Sequence, residues 1–423
     1  MSMPNSQKEL SDIFWKIELF STWYPEIDIE YYCDDKNLSE IKHNIEIRKG
    51  VGDINRVHEL YAKFRTISRS DSMYKNIKET FYSELLKLPN ITHPAVRDYH
   101  EDPQTVSTIN VRKQFGSFKP FEFSEITKLL NLMRTDKLGY TCDNKSYYYF
   151  GELAEYEEAL LKYTVSSLIK KGFNLVSVPD ILSSDIIKSC GMAVNSDRTQ
   201  IYSLDPDLHG PDMYLSGTAE ISLAGLLSNT EHNGQTLPLK LVAVSRCYRA
   251  ETSNINEERG TYRVHQFTKV EMFVVSKPEE SDDILEYIRE TQEELFSPLG
   301  IHMRVLDMPP HELGAPAYRK YDIEAWMPGR NNFGEISSCS NCTDYQSRRL
   351  NIKYTEGKTT QYVHTLNGTA CAVPRMLISL FETHQHPKGK IVIPDILQPF
   401  INGKKYIGKN AVVPKLKLLK IKN

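Results

Sequence analysis

Apolar residues recur at helical spacing in the first quarter of the chain. The pattern predicts a short helix over 38–49 and a second helix that begins at Asp53, a good N-cap residue. The segment 73–88 then predicts a return helix, which Pro89 stops. The last two helices each have one apolar face. The sequence therefore predicts an antiparallel helical hairpin with about 15 residues, or ~22 Å, in each limb.

The pattern changes after residue 115 to short strands and helices in alternation. The segment 153–171 is an amphipathic helix, and short apolar runs separated by polar turns follow it. This order predicts an α+β fold in which helices flank a mainly antiparallel sheet. The chain contains neither a G-x-G-x-x-G motif nor a P-loop, which argues against a doubly wound nucleotide-binding fold.

Charged residues interrupt this pattern in the run 245–273, which predicts two strands joined by a long polar loop. One face of the second strand is predicted to carry Val264, Gln266, Thr268, Val270 and Met272. The other face is predicted to carry Arg263, His265, Phe267, Lys269, Glu271 and Phe273. This second face suits a nucleotide better than a core, because arginine binds phosphate through paired N–H groups and an aromatic ring can stack on a base.

Composition limits how the chain could bind nucleic acid. The 423 residues are 40% hydrophobic, enough for one large core and a smaller domain, and the formal net charge is −3. Any RNA contact must therefore come from local basic patches. One candidate is 36–87, with 11 Lys+Arg against 7 Asp+Glu, and another is the tail 403–423, with 7 lysines and no acids. A solvated end is the alternative interpretation of the tail.

The seven cysteines are scattered and odd in number, which favours reduced thiols over a disulfide framework. Cys339 and Cys342 form a C-x-x-C pair without a second pair, so free thiols are favoured there over a zinc site. No apolar run reaches membrane-spanning length, and no membrane association is expected. The first 35 residues contain several acids and do not look like a transit peptide. If the protein works in mitochondria, we expect the numbering to begin after a removed presequence.

Five motifs in order resemble those of the class II aminoacyl-tRNA synthetases, and of the seryl-tRNA synthetases of mitochondrial type in particular. The run 245–273 resembles motif 2, GFNLVSVPDIL (172–182) with Pro179 resembles motif 1, and 364–385 with Arg375 resembles motif 3. GTAE (217–220) and FGEISSCSN (333–341) resemble the amino-acid and metal loops of the seryl enzymes. The resemblance covers roughly residues 105–400 of the chain.

The resemblance implies a two-step ligase reaction that uses ATP and Mg²⁺. L-serine would attack the α-phosphorus of ATP to give seryl-adenylate, and the 3′ end of tRNA(Ser) would then accept the seryl group. Motif 1 implies a homodimer, and a heterodimer with a related subunit stays open. The resemblance also implies the mitochondrial matrix, with the cytoplasm as the alternative.

The resemblance assigns site residues by their place in the motifs. Arg249 and Arg375 would be catalytic, holding the α- and γ-phosphates respectively. The residues implied for ATP are Arg249, Glu251, Arg263, Phe267, Glu335 and Arg375. Those implied for serine are Thr218, Glu220, Arg249, Glu271, Ser338, Asn367 and Thr369, and those implied for the metal are Glu335 and Ser338. Ordinary buried ion pairs are the alternative for the two arginines, and a core role is the alternative for Phe267.

The N-terminal region departs from the family pattern, because the family's tRNA-binding arm is normally much longer. We expect residues 1–105 to form an N-terminal domain with a shortened arm, and 106–423 to form the catalytic domain with its basic tail. The hairpin could instead only brace the catalytic domain. Two other functions stay open: a catalytically silent synthetase-like regulatory partner, and a ligase that loads an amino acid onto a carrier protein.

Overall fold

An eight-stranded sheet forms the centre of the computed structural model, which describes residues 25–116, 118–135, 142, 145–192, 194, 201–251 and 260–411. Its order is β1-β10-β11-β12-β15-β9-β8-β4, with β4 parallel to β8 and all other neighbours antiparallel. These strands are β1 Gln104–Ile109, β4 Asn174–Val176, β8 Leu239–Tyr248, β9 Gln266–Ser276, β10 Met303–Asp307, β11 Arg319–Met327, β12 Asn332–Asn341 and β15 His364–Ala372. The predicted α+β class is confirmed.

Four small sheets complete the β structure of the described residues. Two of them have two strands: β2 Met133–Arg134 with β3 Tyr148–Tyr149, and β5 Ile181–Ser183 with β6 Met213–Leu215. In the third sheet, β13 Ile352–Glu356 lies between β7 Thr230–Asn233 and β14 Thr359–Tyr362. In the fourth, β17 Lys390–Val392 lies between β16 Gln385–His386 and β18 Tyr406–Ile407.

Helices cover both faces of the large sheet. They are α1 Ile29–Cys33, α2 Leu38–Ile47, α3 Ile54–Thr66, α4 Tyr74–Leu86, α5 Phe123–Leu129, α6 Glu152–Lys170, α7 Ser184–Ser189, α8 Pro206–His209, α9 Ala219–Leu226, α10 Ser281–Phe296, α11 Tyr345–Leu350 and α12 Val373–Thr383. On one face, α6, α10 and α12 pack in a core with Val270 and Met272. On the other face, α7 and α9 pack in a second core with Phe273 and Val275. No helix in the described ranges combines the length and apolar character needed to cross a bilayer.

The predicted N-terminal hairpin is present, with 13 residues in each limb, α3 and α4. The Asp53 side chain accepts a hydrogen bond from the Arg56 amide at 3.1 Å, as expected of an N-cap. The second limb begins one residue later than predicted, because the Asp71 side chain accepts from the Met73 amide and holds that residue in the turn. Both limbs pack in a separate core around Phe81, which also includes Ile41 and Ile45 of α2. The hairpin's role in tRNA binding stays a prediction.

Hydrogen bonds tie both the N-terminal helices and the start of the C-terminal tail to the main body. The buried Arg48 guanidinium donates to the carbonyl oxygens of Gly314 and Ala317, at 2.5 and 2.7 Å. Lys404, the first lysine of the predicted basic tail, donates to the Glu155 carboxylate on α6 at 2.6 Å. The start of the tail is therefore anchored. Residues 412–423, with the last four of its lysines, lie outside the described residues.

Candidate active site

All the predicted site residues line one cavity of about 530 Å³ on the large sheet. They are Thr218, Glu220, Arg249, Glu251, Arg263, Phe267, Glu271, Glu335, Ser338, Asn367, Thr369 and Arg375. Strands β9, β12 and β15 supply the floor, and the N-terminus of α9, the end of β8 and the first turn of α12 supply the walls. Their individual roles stay predictions, but segments distant in the chain are brought together as the motifs require.

The alternation predicted for the second strand of the hairpin holds from Gln266 onward. Phe267, Lys269 and Glu271 face the cavity, whereas Val270 and Met272 enter the core below. The prediction is wrong at 263–265, because β9 begins only at Gln266 and the backbone before it does not alternate. Val264 consequently lines the cavity beside Arg263, and His265 does not. Phe273 shares the predicted face of Phe267 but lies farther along the strand, in the second core.

Arg375 lies where β15 passes into α12, with a carboxylate and an aromatic ring as neighbours. Its Nη1 is 3.3 Å from Glu335 Oε2, its Nε donates to the Tyr262 carbonyl at 3.3 Å, and its guanidinium lies 4.6 Å from the Tyr262 ring centroid. Only 14% of the Arg375 side chain is exposed, against 36% for Glu335, which opens into the cavity. The cation is thus held in place at the edge of an open space.

Several cations keep the Glu335 carboxyl ionised. Burial on its own would raise its pKa, but Arg375, then Lys320 and the arginines 249 and 263 outweigh burial, and the pKa is lowered. Glu335 and Ser338 therefore offer a carboxylate and a hydroxyl oxygen to the same space. Oxygen donors of this kind suit Mg²⁺, which is commonly held by one or two carboxylates together with water and substrate phosphates. The predicted metal residues fit the ion.

Arg249 differs from the other cavity arginines in its partners. Its guanidinium lies 5.3 Å from the Phe267 ring centroid, and its Nε and Nη2 reach the Gly217 carbonyl at 3.4 Å. Within the described ranges, no carboxylate lies within 4.0 Å of it, whereas Arg263 is 3.6 Å from Glu251. The alternative of an ordinary ion pair therefore does not apply to Arg249 among these residues, and most of its N–H groups can serve a ligand.

A compact polar network fills the other end of the cavity. Lys269 Nζ donates to Thr218 Oγ1 at 2.8 Å and lies 2.5 Å from Glu271 Oε2, which also accepts from Thr369 Oγ1 at 3.1 Å. Burial, and then the charge of Glu271, raise the pKa of Glu220 to about 7. Two acids and one lysine in a small enclosed space can bind the ammonium and hydroxyl of a small amino acid.

Sequence reasoning gave no role to Lys269 and overlooked Gln292. Gln292 is buried on α10, and its Nε2 lies 2.9 Å from Ser337 Oγ and from the carbonyl oxygens of Ser338 and Thr369. Its amide thus bridges β12 and β15 beneath the cavity, beyond their last paired residues, Cys339 and Gly368. The sequence signal that could have identified Gln292 is its position as a polar residue on the apolar face of an amphipathic helix.

The C-x-x-C pair does not form a metal centre with other ligands in the described part of the chain. Cys339 and Cys342 are buried free thiols. No group of three or more His, Cys, Asp or Glu residues in the described ranges could hold a metal ion. Cys342 instead lines the cavity, where its Sγ accepts a hydrogen bond from Asn367 Nδ2 at 3.7 Å.

Residues 202–384 match the family model of the tRNA synthetase class II core domain (G, H, P, S and T). The chain is 45% identical over 328 residues to the mitochondrial serine–tRNA ligase of Bos taurus, a match that covers 77% of this chain and 63% of the relative's length. It is 39% identical over 417 residues to the mitochondrial serine–tRNA ligase of Saccharomyces cerevisiae, covering 94% of this chain and 90% of the relative.

A solved structure with the same fold is the cytoplasmic serine–tRNA ligase of Naegleria fowleri in complex with AMP. It superimposes with a TM-score of 0.79 at 27% identity, over 92% of this chain and all of the other. The similarity therefore includes the N-terminal region as well as the large sheet.

Proposed function

The chain belongs to the serine–tRNA ligase family of class II synthetases, and from this premise we propose that it activates L-serine with ATP and transfers it to tRNA(Ser). One observation carries the proposal. Arg249 and Arg375, from segments far apart in the chain, border a cavity whose other end is an acidic pocket sized for a small amino acid. The AMP bound to the Naegleria relative is the nucleotide part of an acyl-adenylate, which supports adenylate chemistry.

The first step needs alignment more than proton transfer, because a carboxylate is already a nucleophile. Thr218, Glu220 and Glu271 would bind the ammonium and hydroxyl of serine, with Asn367 and Thr369 completing the wall. Arg249 lies between that pocket and Phe267, so one guanidinium could hold the serine carboxylate and the α-phosphate together. This arrangement brings two mutually repelling anions into line for attack.

The triphosphate would extend from Phe267 toward Arg375. Phe267 would stack on adenine, Glu251 would accept from its amino group, and Arg263 and Arg375 would hold the outer phosphates. Glu335 and Ser338 would hold Mg²⁺, which when bound neutralises phosphate charge. Charge that develops on the leaving pyrophosphate would then meet cations that are already in place.

The chain's surface supports a homodimer through motif 1. Strand β4, within motif 1, lies at the edge of the large sheet and leaves Leu175 53% exposed. Ile169 and Ile181, on either side of it in sequence, are each 49% exposed. An apolar sheet edge is a common protein interface. The mitochondrial names of the cattle and yeast relatives support action in the mitochondrial matrix.

The experiment that tests the function is L-serine-dependent ATP–pyrophosphate exchange, followed by aminoacylation of mitochondrial and cytosolic serine tRNAs. We expect exchange with L-serine, and much weaker exchange with L-alanine, which lacks the hydroxyl, and with L-threonine, which is larger. No serine-dependent exchange at saturating Mg·ATP would refute the proposal and favour a silent regulatory partner. Exchange without transfer to any serine tRNA would instead favour a carrier-protein ligase.

A further inference from the structure

A group of stacked arginine and aromatic side chains lies beside the cavity on the large sheet. The Arg112 Cζ is 3.8 Å from the Trp326 ring centroid and 5.2 Å from that of Phe333, and the Arg304 Cζ is 4.4 Å from the Phe333 centroid. The two rings meet edge to face at 5.2 Å. We call Arg112, Arg304, Trp326 and Phe333 the arginine–aromatic patch.

The two arginines of the patch differ in how their N–H groups are used. Arg304 is paired with Glu324, with its Nε and Nη2 both within 2.7 Å of Oε2. Arg112 is exposed, and within the described ranges it forms no hydrogen bond or ion pair. Stacking orients the Arg112 guanidinium without using its five N–H groups. The patch therefore presents an oriented cation with all its donors available to an anion from solution.

The patch lies at the phosphate end of the cavity. Trp326 and Phe333 are paired across β11 and β12, next to the turn that joins these strands. Glu335, which borders the cavity beside Arg375, follows Phe333 by two residues and shares its face of the strand, about 7 Å away at the rise of a β-strand. A polymer that enters the cavity at this end would pass over Arg112.

The opposite edge of the same sheet is the one proposed for dimer contact. Strands β10, β11 and β12 are separated from β4 by β15, β9 and β8. The patch would therefore remain accessible if two copies pair through β4. Because the whole chain has a net charge of −3, an RNA substrate needs a local cation of this kind to be attracted.

We propose that the arginine–aromatic patch binds the phosphate backbone of the tRNA acceptor end beside the active site, an inference that rests on the proposed function. Arg112 donates to a phosphodiester oxygen, and Trp326 holds the guanidinium in position. The ion-paired Arg304 supports the Phe333 ring and adds little net charge. The contact is to the backbone, so it aids binding of serine tRNAs without reading their bases.

The test compares Arg112→Gln and Arg112→Glu with Lys358→Glu, the same charge reversal at an exposed lysine between β13 and β14. Binding of a serine tRNA is measured by fluorescence anisotropy from 50 to 300 mM KCl. One lost phosphate contact should weaken binding roughly tenfold at 50 mM salt and roughly 2.5-fold at 200 mM, and reduce the slope of log affinity against log salt by about 1. Lys358→Glu should stay close to wild type.

Exchange activity separates this proposal from the general function. ATP–pyrophosphate exchange requires no RNA, so both Arg112 variants should retain it if the patch acts only on tRNA. The proposal is overturned if Arg112→Glu binds tRNA as tightly as Lys358→Glu does, or if its salt slope equals that of wild type. It is also overturned if the Arg112 variants lose exchange and melt earlier at unchanged tRNA affinity, since Arg112 would then only brace the strand turn. Absent exchange in wild type refutes the ligase function, independently of these binding data.

Discussion

Replacing Arg375 by alanine tests how the cavity stabilises a triphosphate. Arg375 is nearly enclosed and is held in place by two carbonyl groups and the Glu335 carboxylate. A desolvated contact between a cation and a phosphate contributes about 3–5 kcal/mol. We therefore expect serine-dependent exchange to fall by roughly 10² to 10⁴-fold. Lysine should restore part of the rate, because it keeps the charge but not the paired N–H groups.

The same variant should change the pH dependence of the residual rate. Burial raises the pKa of Glu335, and Arg375 is the largest of the charges that oppose burial and lower it. Without Arg375 the pKa of Glu335 rises, so the carboxylate that would hold Mg²⁺ becomes protonated at a higher pH. The acid limb of the exchange rate, measured from pH 5.5 to 8.5, should therefore shift upward in Arg375→Ala.

Arg319→Ala is the matched control for this experiment. Arg319 is paired with the buried Asp307 at 2.7 Å but does not line the cavity. Its loss should lower the free energy of unfolding without shifting the acid limb. An exchange rate in Arg375→Ala above a tenth of wild type would refute the proposed contact between Arg375 and the triphosphate. The same pH profile in both variants would refute the effect of Arg375 on the pKa of Glu335.

Three further predictions address the dimer, the amino-acid pocket and stability. Leu175→Asp should turn a dimer into a monomer in light scattering, whereas Leu129→Asp, at a leucine on α5 that is also more than half exposed, should not. Lys269→Met should raise the KM for serine about 10- to 100-fold, since hydrogen bonds to charged groups are lost, and should leave the KM for ATP nearly unchanged in exchange assays. The pKa of Glu220 is about 7 in the folded protein, against 4.5 for an ordinary glutamate. The folded state therefore holds this proton more tightly, which adds on the order of 3 kcal/mol to the free energy of unfolding below pH 4.5. That contribution is lost as the pH rises through 7. The free energy of unfolding, measured with denaturant between pH 4.5 and 7, should fall in wild type and fall less in Glu220→Gln. Equal slopes of this free energy against pH in the two proteins would contradict the prediction.

The sequence was sufficient to locate those predicted site residues that lie beside a recognisable element. Arg375 could be placed because a strand, a proline and a helix surround it, and Phe267 and Glu271 because the strand period puts them on one face. The exception at Val264 and His265 has a simple cause. A strand's first residue is set by its partner strand, and Gln266 pairs with Tyr248 at the last position of β8.

Residues that act through tertiary contacts could not be assigned in the same way. Gln292 belongs to a helix whose own pattern shows only an amphipathic face. Its three hydrogen-bond acceptors lie on two strands, β12 and β15, which the helix sequence does not identify. The proposed role of Arg112 could not be predicted from the sequence either, because it depends on contact with Trp326, more than two hundred positions away in the chain. Spacing along a sequence reports local periodicity, whereas these contacts depend on how the sheet is assembled.

The charges of the cavity explain why ATP would require a metal ion here. Its lining includes five cationic residues, Arg249, Arg263, Lys269, Lys320 and Arg375, and four acids, Glu220, Glu251, Glu271 and Glu335. The formal balance of these lining residues is therefore +1, and +2 when Glu220, whose pKa is about 7, is protonated. ATP brings roughly four negative charges, so a divalent cation is needed to approach neutrality. A cavity lined only by cations would not serve instead, because the ammonium group of serine needs anionic partners. A site that holds an ammonium ion and a triphosphate close together, as proposed, cannot be uniformly basic, and we therefore expect ATP to bind there together with Mg²⁺.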